Sequence, residues 1–124
     1  MGGGLTVYNS TSGKLYTLLY DTSSGPFVLY SWNTTTSLNA AVFSTVVMIG
    51  LATAAIGRYV YISVTNNATN LIWGASMTGI PGTFVTLGTT ALATFITSVS
   101  HVGIVNGNSL TGGFIVADWF RRTA

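Results

Sequence analysis

Few side chains in this 124-residue chain can do chemistry, and their types narrow the choice quickly. His101 is the single histidine, Asp21 and Asp118 are the two carboxylates, and there is no cysteine. Ser109, His101 and Asp118 can be drawn as nucleophile, base and orienter. Residues 107–112 (GNSLTG), however, miss the strained Gly-x-Ser-x-Gly turn that exposes a hydrolase serine. Disulfides and thiolate metal sites are excluded, and one histidine with two carboxylates falls short of a metal cage. Gly13-Lys14 lacks the upstream glycine and following Ser/Thr of a phosphate-binding loop. The expectation is a protein that is not an enzyme, with no metal and no cofactor.

Two other sets of residues carry more. Asn9-Ser10-Thr11, Asn33-Thr34-Thr35 and Asn67-Ala68-Thr69 are N-glycosylation sequons, so Asn9, Asn33 and Asn67 are candidate attachment points for N-linked glycans. The cations are Lys14, Arg58, Arg121 and Arg122, four in all, giving a net charge of +2. An arginine cluster of this kind suits phosphate contacts that hold nucleic acid without reading its sequence.

The charge count is the strongest compositional signal. Charged residues make up 5% of the chain, against roughly 25% in ordinary globular domains. A monomer with so few ionic groups is poorly dispersed in water. With 48% apolar residues, most of the surface is expected to meet other subunits, lipid or glycan. Disorder is excluded for most of the chain, because it requires low hydrophobicity and high net charge. The length fits one domain, residues 1–124. Met1-Gly2-Gly3-Gly4 lacks the basic start and apolar run of a cleavable leader, so none is expected.

The elements that must position these residues read as follows. Residues 5–9 and 14–21 are β-branched and aromatic and flank a Gly-containing turn, which predicts a hairpin. Residues 27–32, 58–65, 69–73 and 114–120 predict further strands. The stretch 38–56 (LNAAVFSTVVMIGLATAAI) is long, alanine-rich and apolar all round, with Gly57 at its end, and predicts a helix. Such a helix is buried on every side, which a small monomer cannot achieve alone. Residues 83–102 predict a second helix, although their threonines and Gly88 suit strands as well. Residues 103–113 read as a loop. The fold class expected is α+β: short antiparallel hairpins with helices at 38–56 and 83–102.

Tracing these elements end to end, at ~3.3 Å per strand residue and ~1.5 Å per helix residue, puts all three sequons at one end. Arg58, Arg121 and Arg122 fall at the other, and Lys14 stays with the sequons. The expected molecule is polarised, with a sugar-bearing outside and an arginine-bearing inside.

A small Gly- and Thr-rich chain with sequon-bearing hairpins and the segment LNAAVFSTVVMIGLATAAIG resembles the major virion glycoprotein of rod-shaped archaeal viruses of the clavavirus type. The resemblance is one of overall character across the chain. It implies a glycosylated, heat-resistant helical capsid built from many copies of this chain around a double-stranded DNA genome. Arg58, Arg121 and Arg122 would then contact the phosphate backbone, and the protein would be located in the virion. Two other readings stand beside it: an extracellular pilus-like filament subunit without nucleic acid, and a small membrane protein. The membrane reading is weakened by Arg58 abutting the apolar segment and by flanking strand-like stretches.

Overall fold

A computed structural model describes residues 3–20, 27–45 and 61–106. They form eight strands: β1 (Gly3–Asn9), β2 (Lys14–Tyr20), β3 (Phe27–Asn33), β4 (Leu38–Thr45), β5 (Tyr61–Asn66), β6 (Asn70–Ser76), β7 (Val85–Ala91) and β8 (His101–Asn106). Five make one sheet in the order β4-β3-β2-β1-β8, and three make another in the order β5-β6-β7. Every pairing is antiparallel. Among the described residues there is no helix, and so none long and apolar enough to cross a membrane.

The expected α+β class is therefore corrected to all-β, and both expected helices are replaced. Leu38–Thr45, the first part of the 38–56 segment, is strand β4, paired with β3 along its length. The remainder of that segment lies outside the described residues. Alanines and length had favoured helix, but Val42, Phe43 and Thr45 are strand formers, and an adjacent sheet edge overrides weak helix propensity. Residues 83–102 hold β7, an irregular connection and the start of β8. There the threonines and Gly88 decide. A side chain at position 88 would meet the Phe43 ring at 2.8 Å, so the glycine lets the two sheets approach. The expected loop at 103–113 is also corrected, since β8 runs on to Asn106. β1, β2, β3, β5 and β6 occupy stretches where the residue pattern predicts strands; the 114–120 strand lies outside the described residues.

Alternation along the strands sorts side chains onto two faces. Val7, Tyr16, Leu18, Phe27 and Leu29 of the larger sheet are buried with Leu71, Trp73 and Ala75 of the smaller, as in a sandwich. Ile96, from the connection between β7 and β8, is fully buried in the same cluster. Trp73 anchors this core. Its ring meets Tyr16 edge-on, with centroids 6.1 Å apart, and its indole N–H donates to Thr90 Oγ1 at 3.2 Å. Truncating a buried tryptophan to alanine costs about 3–5 kcal/mol, so this one contact is a large share of the stability of a small domain.

Tyr16 gives the core a pH dependence. Burial pushes its phenol above the usual tyrosine range, while hydrogen bonds with Thr94 and Thr90 pull the other way. The folded chain thus holds the phenolic proton more tightly than the unfolded chain. This contribution is complete below the unfolded value of ~10 and is lost as pH rises through the folded value. Urea unfolding from about pH 9 to about pH 11 should show wild type weakening more steeply than Tyr16→Phe. Identical pH dependence in the two proteins would contradict the assignment.

Candidate assembly surfaces

The surface follows from the registers. Among the described residues Lys14 is the one Lys, Arg, Asp or Glu, and its ammonium sits 5.1 Å above the Phe95 ring. Within the described residues the edge strands therefore carry no Lys, Arg, Asp or Glu. β8 pairs with β1 through six residues without a register break, carries no proline, and exposes Val102 and Ile104 by 42% and 47%. At the opposite edge β4 exposes Leu38 and Val42, and its pairing with β3 shifts register between Leu29 and Tyr30. Soluble proteins blunt such edges with lysines, prolines or bulges. β4 has the irregularity; β8 has none of the three.

The outward face of the larger sheet is ordered in rows. His101, Tyr8, Leu15, Trp32 and Asn39 stand side by side across β8, β1, β2, β3 and β4. The next row is smaller: Gly103, Thr6 and Thr17, followed by Tyr30 and Ala41. Thr6 and Thr17 join hydroxyls at 2.9 Å. An open trough of about 590 Å³ runs over the small residues, bordered by Tyr8, His101 and Trp32. No sequence motif brings these aromatics together. The hairpin spacing, which fixes Tyr8 opposite Leu15, was the signal that could have placed them on one face.

The sequons occupy turns. Asn9 and Asn33 flank Lys14 in the register, so the β1–β2 and β3–β4 turns lie side by side. They are locked together: Thr34 donates through its N–H and its hydroxyl to the Gly13 carbonyl, at 2.8 and 2.6 Å. Gly13 has a φ of 71°, and a side chain there would press on the Thr34 and Thr35 hydroxyls. Asn67 lies in the β5–β6 turn. Leu92 bonds back to Thr69, and the connection that follows reaches Tyr8 through Ser100 and Asn9 through Ser98. With Tyr16 packed on Trp73 near those turns, the three sequons share one end of the sandwich.

Their amides differ. In each, the side-chain oxygen accepts the N–H two residues on, from Thr11, Thr35 and Thr69, all at 3.0 Å. This is the turn chemistry expected of asparagine whatever its modification. Asn9, however, is only 6% exposed, and its amide nitrogen donates to the Ser98 carbonyl and hydroxyl at 2.9 and 3.1 Å. Asn67 is exposed and Asn33 half-exposed. Arg58, Arg121 and Arg122 lie outside the described residues, as do Ser109 and Asp118. His101 is exposed and bonds Ser100 Oγ through Nδ1 at 2.9 Å. Among the described residues it is the only His, Asp, Glu or Cys, so no metal-binding set forms there. Neither a protein family, nor a curated protein, nor a solved structure matches the chain.

The amide environments make an asymmetric prediction. Asn9→Ala leaves two turn N–H groups and the Ser98 carbonyl without their partner, which should lower unfolding stability by about 2 kcal/mol. Asn67→Ala, at an exposed turn where water replaces the bond, should lower it by less than about 1 kcal/mol. Urea denaturation of the unmodified protein checks both, and equal losses would refute the burial argument.

Proposed function

We propose that this chain is a structural subunit that assembles with many copies of itself, as the coat of a particle. The observation that carries the reading is the uncharged surface: one ionic side chain among the described residues, with both edges of the larger sheet exposing apolar residues. Unpaired N–H and C=O groups along an edge can bond a neighbouring strand, and exposed valine, isoleucine and leucine gain by burial. For half-exposed side chains such as Val102 and Ile104 the gain is on the order of 1 kcal/mol each. Repeated over many contacts per subunit, small terms of this kind hold a large assembly together.

The coat version of the proposal assigns an inside and an outside. Its outside is the sequon end, where Asn33 and Asn67 are the glycan-bearing residues and Asn9 serves the fold. Its inside is lined by Arg58, Arg121 and Arg122, which neutralise the phosphates of double-stranded DNA. Support for that inside is the sequence alone, through the tracing of the elements and the resemblance in overall character to rod-shaped virion glycoproteins. Helical symmetry belongs to the same resemblance.

Ile104→Lys tests the assembly claim on the edge that lacks protection. A lysine there places a charge on an edge strand, the device by which natural sheets avoid pairing. Wild-type protein should sediment as a large particle, and the variant should remain mostly as small species with an unchanged circular-dichroism spectrum. Wild-type protein that stays monomeric at high concentration would overturn the proposal.

A further inference from the structure

The trough on the outward face of the larger sheet has a feature that the fold does not require. Gly103 sits within β8, opposite Thr6, where a glycine weakens a strand and offers no side chain to pack. Its φ is not positive, and a side chain built at this position would meet no atom within 4 Å. Among the described residues neither backbone conformation nor crowding explains it. A strand glycine of this kind marks a place where something outside approaches the backbone closely.

The lining says what that is. The border has ring faces with polar tips: Tyr8 and His101, their centroids 6.1 Å apart, and Trp32, 46% exposed. The Tyr8 hydroxyl and the Trp32 N–H have no hydrogen-bond partner among the described residues. Ser100 Oγ donates its proton to the Tyr8 carbonyl at 3.0 Å, so in their mutual bond His101 Nδ1 is the donor. In the neutral ring His101 Nε2 is then left as an acceptor. On the floor, the single bond between Thr6 and Thr17 uses one of two hydroxyl protons, and the other is free to donate. Among the described residues no Lys, Arg, Asp or Glu lines the trough. Its volume of about 590 Å³ lies in the range of small-ligand sites, ~300–1,000 Å³.

We propose that this trough binds an uncharged oligosaccharide, with sugar rings against Tyr8 and Trp32 and sugar hydroxyls bonded to His101 Nε2 and the free threonine hydroxyl. A pyranose has an apolar C–H face and a polar rim, which matches ring walls with polar tips over a hydroxyl floor. An apolar protein segment would leave those tips unpaired, which is unfavourable on burial. The described lining offers no lysine or arginine to pair with a uronic or sulfated sugar, so the proposal commits to neutral ones. The trough is also lined by Val102 and Ile104 of the β8 edge, so sugar binding and edge-to-edge assembly share part of one surface, and calorimetry reads the first where sedimentation reads the second.

The test is titration calorimetry of the full chain with hexasaccharides of α-1,4-glucan, β-1,4-glucan, β-1,4-mannan and β-1,4-N-acetylglucosamine, and with a hexagalacturonate control. At least one neutral chain should bind saturably and the acidic one should not. Gly103→Val adds a side chain to the trough at a position where a Cβ would meet no atom of the described residues within 4 Å. It should keep the wild-type melting temperature or raise it, and should weaken binding at least tenfold; Trp32→Ala should do the same to binding. Binding that survives both changes would overturn the assignment, as would failure of every neutral chain to bind. If no sugar binds and Gly103→Val instead reduces self-association, the trough belongs to a second copy of the chain, and the sugar assignment is wrong.

Discussion

An edge of a β-sheet is a row of hydrogen-bonding groups with nothing beside it, and proteins ordinarily guard that row with charge. This chain has almost no charge to use. Among the described residues the one ammonium, that of Lys14, stands over the Phe95 ring near the turns rather than on an outer strand. β8 and β4 thus present backbone and aliphatic side chains together, and what meets them decides the behaviour of the protein in solution. The core, the turns and the outward face all have to be built within this constraint.

The core does so with aromatics and hydroxyls. Tyr16, Trp73 and Thr90 form a buried polar link between the sheets that needs no ion, and the exposed Thr94 hydroxyl bonds Tyr16 at its rim. The turns do so with amides and hydroxyls: Asn9, Asn33 and Asn67 each cap their own turn, and Gly13 lets two turns interlock. Hydrogen bonds from neutral groups replace ion pairs throughout the described residues. A net of this kind is insensitive to salt. Uncharged edges and short polar turns also fit a subunit whose neighbours are copies of itself, since no charge has to be removed from water when they meet.

Much of the strand layout was legible in the sequence. The hairpin of β1 and β2 was readable from β-branched and aromatic residues on both sides of a Gly-containing turn, and β5 and β6 from the strand-forming stretches 58–65 and 69–73. The fold class was misread because apolar runs look alike to a periodicity argument: AAVFST in β4 and TLGTTA in β7 lack the clean alternation of a half-exposed strand. In β4 the register shift near Val42 breaks the period of two, and in β7 Gly88 removes the inward side chain that would have shown it. The approach of Gly88 to Phe43 joins elements distant in sequence, which local pattern cannot display. The sequons were visible as motifs, but the burial of Asn9 depends on Ser98, far along the chain. The trough was hidden for the same reason. It exists only when Tyr8, Trp32, His101 and Gly103 are brought onto one face by three strands, β1, β3 and β8.

Hydrogen–deuterium exchange of the β8 amides across a dilution series tests the claim about uncharged edges most directly. In concentrated protein, the N–H groups of His101–Asn106 that point away from β1 should be as protected as those that point toward it, and dilution below the assembly threshold should release the outward set alone. Outward amides that exchange at unprotected rates at every concentration would show that no strand meets this edge, and would contradict assembly through it.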